Sequence, residues 1–169
     1  FGHTAPLGCV STANGHFSPR NGATMILSHT TPIAAPISRV WQTLADVGTI
    51  AEWHLGVKAS PVLSDAATGM GARRRIELYD GGTSIETVTA FEEGRSLTVT
   101  MSEHTMPMSR CLATFSVEAD GPDAARVTFT MDYDMKWGPA GWLIDTVMLR
   151  RVLRGLQASV LAGLDHHLR

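Results

Sequence analysis

The stretch Pro36-Ile-Ser-Arg-Val-Trp-Gln-Thr-Leu-Ala-Asp46, followed by Thr49-Ile-Ala-Glu-Trp53, decides how this chain folds. Ile37, Val40, Trp41 and Leu44 recur at i, i+3, i+4 and i+7, which sets them on one apolar stripe of a helix. Pro36 suits the first helical turn, where a missing N–H costs nothing. Thr49 and Glu52 have the spacing of a capping box, so a second short helix is expected about one turn later. Two short helices set into a strand-rich chain form a V-shaped insertion, and the downstream pattern says what that insertion closes on.

Working outward, Met25 to Ile33 reads as a strand that stops at Pro32, Ala35 and Pro36. Val57 to Leu63 reads as a second strand, ended by the turn at Gly69-Met-Gly71. Ala72–Tyr79 and Thr83–Phe91 flank Asp80-Gly81-Gly82, a strong hairpin signal. Leu97, Val99 and Met101 alternate with threonines; Cys111, Ala113, Phe115 and Val117 alternate with Leu112, Thr114 and Ser116. Val127, Phe129, Met131, Tyr133 and Met135 give the clearest period of two. The result is an antiparallel meander with one apolar face, and that face needs a cover.

After Gly138-Pro139 the period switches to that of a helix, expected from Ala140 to Leu168. Leu149, Leu153, Leu156, Val160 and Leu164 form its apolar stripe, with Arg150, Arg151, Arg154 and Gln157 assigned to other faces. This helix is the cover. The fold class is therefore α+β: a curved antiparallel sheet of six to seven strands wrapped around a long C-terminal helix, with two short helices after the first strand.

Composition bounds what such a domain does. A chain of 169 residues fits one domain with a real core, and 44% apolar and 18% charged residues describe a globular protein. A net charge of −2 gives no electrostatic footprint for nucleic acid, and no apolar run approaches a membrane span. In Arg73-Arg74-Arg75, strand alternation sends Arg74 to the opposite face from its neighbours, so the run is no basic patch. Cys9 and Cys111 supply neither a disulfide framework nor metal spacing, and His166 and His167 are poorly placed to share an ion. No metal and no cofactor are expected, and a reducing cytoplasm is the predicted compartment. Residues 1–24, rich in Gly, Ser, Asn and Pro, read as an N-terminal arm or extension, with the domain proper at 25–169 and Met25 a candidate initiator. The sequence leaves open whether the arm packs on its own domain or on a neighbour, so a homodimer stays open.

The element order resembles the START-like, or helix-grip, superfamily (SRPBCC, Bet v 1-like), and within it the polyketide cyclase/dehydrase-like group. The resemblance covers roughly Met25 to Leu168. It is carried by Ile33-Ala-Ala-Pro-Ile-Ser-Arg-Val-Trp41, Glu52-Trp53-His54 with Gly56-Val57, and Gly69-Met-Gly71 leading into Arg74. Ile85-Glu86 through Phe91 with Gly94-Arg95, and Leu153-Arg-Gly-Leu156 on the helix, add to it. The resemblance implies a small hydrophobic molecule as partner, and Arg74 lies where such proteins often carry an arginine.

A curved sheet cannot press its whole inner face on one straight helix, so a cavity is expected between them. Ile76, Met101, Phe115, Met131 and Tyr133 from the sheet, with Trp142, Met148, Leu149 and Val152 from the helix, are the apolar candidates for its wall, unless they simply fill the core. Among polar residues, Arg74 and Glu86 are read as an inward pair. A three-residue loop at Asp80-Gly81-Gly82 brings Glu86 opposite Ile76, one diagonal step from Arg74, whereas a two-residue loop puts the pair on opposite faces. Trp53 reads as a packing anchor or, less favoured, a ligand contact, and His54 as a residue looking into the entrance. His104 reads as a rim or surface histidine with the pKa of a general base. Arg110 and Asp145 are candidates to face in and to pair with each other.

No nucleophile motif and no phosphate-cradling loop is present. The favoured function is a carrier or sensor of a small hydrophobic ligand. The alternative is a cyclase or dehydratase acting on a carbonyl substrate by general acid/base chemistry, with Arg74, Glu86, His104 and Tyr133 as catalytic candidates. A protein-interaction module is the third reading.

Overall fold

The computed structural model describes residues 24–136 and 148–169. Ten elements follow in order: β1 (Thr24–Ile33), α1 (Ile37–Ala45), α2 (Ile50–Trp53), β2 (Val57–Ala59), β3 (Arg73–Leu78), β4 (Thr83–Glu92), β5 (Ser96–Ser102), β6 (Met108–Ala119), β7 (Ala125–Met135) and α3 (Arg150–Leu168). The strands form one antiparallel sheet in the order β1-β7-β6-β5-β4-β3-β2, so the first strand closes on the last and the rest is a meander. The expected arm at 1–24 lies outside the described residues but for Thr24, as does the N-terminal part of the expected long helix.

Strand alternation sorts the sheet into two faces. Leu27, Met131, Ala113 and Val99 lie side by side across β1, β7, β6 and β5, and all are buried. The outer face carries hydroxyls that pair across strands, as in Ser28–Thr130 and Thr98–Thr114, each 2.9 Å apart. A bulge between Val88 and Ala90 shifts the β4–β5 register and bends the sheet.

α1 forms as its stripe requires. Val40, Trp41 and Leu44 are buried, and the Trp41 indole N–H donates to Glu93 Oε1 at 2.8 Å while its ring meets Phe91. The capping box at Thr49 does not form. Only Asp46–Thr49 separates the two helices, and the Thr49 hydroxyl turns back to donate to the carbonyls of Thr43 and Asp46. The second strand is also shorter than expected. Pro61 has no N–H to give a ladder, so β2 ends at Ala59 and the chain rejoins β3 only through the bridge of Val62 with Arg74.

α3 sits rotated from the stripe read in the sequence. Leu153, Val160, Leu161, Leu164 and Leu168 are buried, and Gln157 is wholly buried with them. Its amide Nε2 donates to the carbonyls of Leu27 and Phe129, both at 3.0 Å, tying the helix to β1 and β7. Met148 and Val152, expected to face inward, are 67% and 64% exposed. Leu149 and Leu156 lie half-buried at the edge of the packed face. α3 covers β1 and β7 and rests on α2, where Gly163 allows contact so close that an added Cβ would lie 2.1 Å from the Trp53 carbonyl oxygen.

Candidate ligand cavity

Because α3 lies over the β1–β7 side of the sheet, the described residues cover the opposite side only in part. A cavity of about 330 Å³ opens there, bounded by α2, the β3–β4 hairpin, β5 and Leu156 of α3. A deeper chamber of about 70 Å³ adjoins it, sharing Ile50, His54, Glu86, Met101, Met106 and Leu156. Phe115, Phe129, Met131 and Val160 line the deeper part. There Phe115 stacks on Phe129 with ring centroids 4.4 Å apart, and Trp53 meets Phe115 edge-on at 6.4 Å.

The polar end is built by the β3–β4 hairpin. The loop is three residues long, but it is Tyr79-Asp80-Gly81 rather than Asp80-Gly81-Gly82. Gly81 takes a φ of +87° and the Leu78 N–H donates to the Gly82 carbonyl. That one-residue shift of the loop moves the register by two, so Arg74 stands directly opposite Glu86, and Ile76 opposite Ser84. Arg74 and Glu86 are 5% and 6% exposed. Arg74 Nε donates to Glu86 Oε2 at 2.7 Å, NH2 reaches the same oxygen, and NH1 donates to the Val47 carbonyl at 2.8 Å. The guanidinium thereby ties the carboxylate to the α1–α2 connection through three of its five N–H groups.

His54, at the C-terminus of α2, lines both chambers. Its Nδ1 accepts the Gly56 N–H at 3.0 Å. Burial holds its pKa below the usual 6.5, and the nearby Arg74 charge acts in the same direction, while its backbone contact and Glu86 oppose. The ring is therefore neutral at pH 7, with the proton on Nε2.

Ile76, Glu86 and Met101 line the main chamber with His54, and Arg74, Phe115 and Met131 line the deeper one. Trp53 packs against Phe115 and α3 and does not line either chamber. Tyr133 is wholly buried in the core, on the same face of β7 as Phe129 and Met131, and is not among the residues lining either chamber. Leu149 packs at the core's edge and Met148 faces outward, so neither contributes to the wall. Arg110 does not face in: it shares the outer face with Leu112 and pairs with Asp132 and, at 2.9 Å, with Asp134. Its expected partner Asp145, and Trp142, lie outside the described residues. His104 is half-buried between β5 and β6, its Nδ1 has no partner among the described residues, and it lines neither chamber. Cys111 is a core residue whose thiol burial pushes up to about 12, which leaves it inert.

Some wall residues escaped the sequence reading. Ser84 shares the face of Glu86 two residues away, so its place was legible once Glu86 pointed inward. Met106 sits in the irregular β5–β6 connection, where no period marks it. Among the described residues, no group of three or more His, Cys, Asp or Glu side chains could hold a metal ion, and no helix is long and apolar enough to cross a membrane.

Comparison with known proteins agrees with this architecture. Norcoclaurine synthase from Thalictrum flavum, solved with dopamine and hydroxybenzaldehyde, superposes with a TM-score of 0.68 at 14% identity, covering 95% of each chain. A major latex-like protein from Panax ginseng gives 0.67 at 17% identity, covering 87% of this chain and 99% of that one. A protein from Bacillus thuringiensis gives 0.69 at 18%, covering 85% and 98%. These likenesses establish the helix-grip fold. No curated protein matches by sequence. The pattern of one family, described as polyketide cyclase / dehydrase and lipid transport, runs through residues 24–169, and the chain belongs to that family.

Proposed function

We propose that this protein binds a small hydrophobic molecule in the cavity between α2, the β3–β4 hairpin and α3, as a carrier or sensor. The observation that carries the reading is the cavity itself: about 330 Å³, walled by Ile76, Leu78, Met101, Met106 and Leu156, with its polar groups gathered at His54, Ser84 and Glu86. Methionine walls adapt to a ligand's shape, which suits a carrier. The dopamine and hydroxybenzaldehyde held by the norcoclaurine synthase of the same fold agree with a guest of small aromatic size.

The alternative, acid/base turnover of a carbonyl substrate by a cyclase or dehydratase, draws support from two titratable groups, His54 and Glu86, on one cavity wall. Their bonding argues for the carrier. Glu86 is tied through Oε2 to Arg74, which suits a fixed polar anchor better than a mobile proton carrier. His54 has its basic nitrogen occupied by the Gly56 N–H, which leaves a neutral N–H as its free group and a poor proton shuttle.

Titration with the uncharged fluorophore N-phenyl-1-naphthylamine tests the proposal. Wild type is expected to bind it with enhanced emission, and Ile76→Trp, which fills the chamber, to lose that signal while staying folded. No binding by wild type, or equal binding by Ile76→Trp, overturns the carrier reading. Conversion of a cavity ligand by wild type but not by Glu86→Gln, followed by mass spectrometry, would establish the enzyme instead.

A further inference from the structure

Resting on the ligand-binding reading above, we infer that the cavity selects an uncharged apolar molecule bearing a hydroxyl group, and rejects the corresponding carboxylate. The inference comes from which hydrogen-bonding atoms at the polar end are already used.

Glu86 Oε2 takes both Arg74 contacts, whereas Oε1 receives no hydrogen bond from the described residues. It is not sealed in the core, because Glu86 lines both chambers. Among the described residues Oε1 is therefore an open acceptor. His54 offers the complement. With Nδ1 accepting the Gly56 N–H, the remaining polar atom of the neutral ring is the Nε2–H, a donor. An open acceptor and an open donor on one wall match a hydroxyl, which donates one hydrogen bond and accepts another. The Ser84 hydroxyl, on Glu86's face of β4, can turn to serve either role.

A carboxylate ligand meets the opposite situation. It only accepts, so one of its oxygens would face Oε1, acceptor against acceptor and charge against like charge. Arg74 does not rescue it. Three of its five N–H groups are engaged, Nε and Nη2 with Glu86 and Nη1 with the Val47 carbonyl, and its charge is already matched by Glu86, so a ligand carboxylate would set a second negative charge against one arginine. An arginine in an apolar pocket ordinarily suggests a fatty-acid site; here the arginine is already neutralised.

The test is competition against bound N-phenyl-1-naphthylamine by three ligands of one shape at neutral pH: 2-naphthol, 2-methylnaphthalene and 2-naphthoate. Naphthol is expected to bind about 10-fold tighter than methylnaphthalene, the worth of a hydrogen bond to a charged acceptor, and naphthoate to bind weakest. His54→Phe keeps a ring but removes the donor, and should cut naphthol affinity by roughly 5- to 10-fold while methylnaphthalene holds. Glu86→Gln removes the negative charge and frees Arg74, so naphthoate should gain on naphthol; if that variant does not fold, His54→Phe decides alone. Naphthoate competing as well as naphthol, or a naphthol-to-methylnaphthalene ratio unmoved by His54→Phe, overturns the selectivity while leaving the carrier reading intact. Failure of wild type to bind the fluorophore at all removes both.

Discussion

Two glycines on α3 should respond to alanine with opposite signs. Both lie in the helix interior, where alanine is favoured over glycine by about 1 kcal/mol. At Gly155 an added Cβ meets nothing within 4 Å, so Gly155→Ala should gain about 0.5–1 kcal/mol and raise Tm by roughly 1–4 °C. At Gly163 the same Cβ would lie 2.1 Å from the Trp53 carbonyl oxygen and 3.3 Å from its carbon. The oxygen is more than about 1 Å inside van der Waals contact. It cannot swing away, because α2 is a single short turn whose Trp53 ring is fixed against Phe115. The helix must retreat from α2, and such overpacking costs about 1–3 kcal/mol, more than the propensity gain. The propensity gain is common to both, so the two variants should differ by the overpacking cost, about 1–3 kcal/mol, in urea unfolding followed by circular dichroism. There is a functional side too. His54 follows Trp53 directly, so Gly163→Ala should displace the cavity wall and weaken fluorophore binding, whereas Gly155→Ala should not. A Gly163→Ala protein as stable as wild type would refute the close α2–α3 contact.

Gln157→Ala should cost about 1–3 kcal/mol, since it removes two buried hydrogen bonds to Leu27 and Phe129 and is only partly offset by the loss of the unpartnered Oε1. Leu156→Ala, at the cavity wall, should cost about 1 kcal/mol and loosen ligand binding; a neutral Gln157→Ala beside a costly Leu156→Ala in urea titrations would mean the helix is rotated the other way. The lowered pKa of His54 gives a pH dependence. As pH falls through 6.5 the unfolded chain takes up a proton that the folded ring still refuses, so this residue's share of stability is complete above that pH and is lost on the way down to the folded pKa. Urea midpoints between pH 5 and 8 should fall more steeply for wild type than for His54→Phe, and parallel curves would refute the assignment.

The fold was legible because it is written in periods. The threes and fours of Ile37–Leu44 and the twos of Val127–Met135 survive any detail of packing, and both produced the expected elements. The site was less legible because it depends on where a period is phased. Moving the β3–β4 loop back by one residue carried Glu86 from a diagonal position to one facing Arg74 directly. Gln157 illustrates the other limit. Polarity argued for solvent, but two strand carbonyls beneath the helix supplied partners that no spacing rule in the sequence reveals. Arg110 failed for the same reason in reverse: its face of β6 was available from alternation with Cys111, and two acidic neighbours on β7 held it outside.

The Arg74–Glu86 pair is what separates this cavity from a packing defect. A buried ion pair is rarely the most stable filling for its volume; a well-packed apolar pair is often equal or better. Stability alone therefore gives little reason to place one across two adjacent strands. Its position gives a reason. The pair lies away from the β1–β7 side that α3 covers, it sets a carboxylate on the wall of the cavity, and Arg74 extends from it to the Val47 carbonyl. The arginine fixes the carboxylate's orientation and charge, and the carboxylate keeps the arginine from answering anionic ligands. Each residue's role requires the other. Replacing both together, as Arg74→Met with Glu86→Leu, should then preserve folding and apolar binding while abolishing the preference for a hydroxyl.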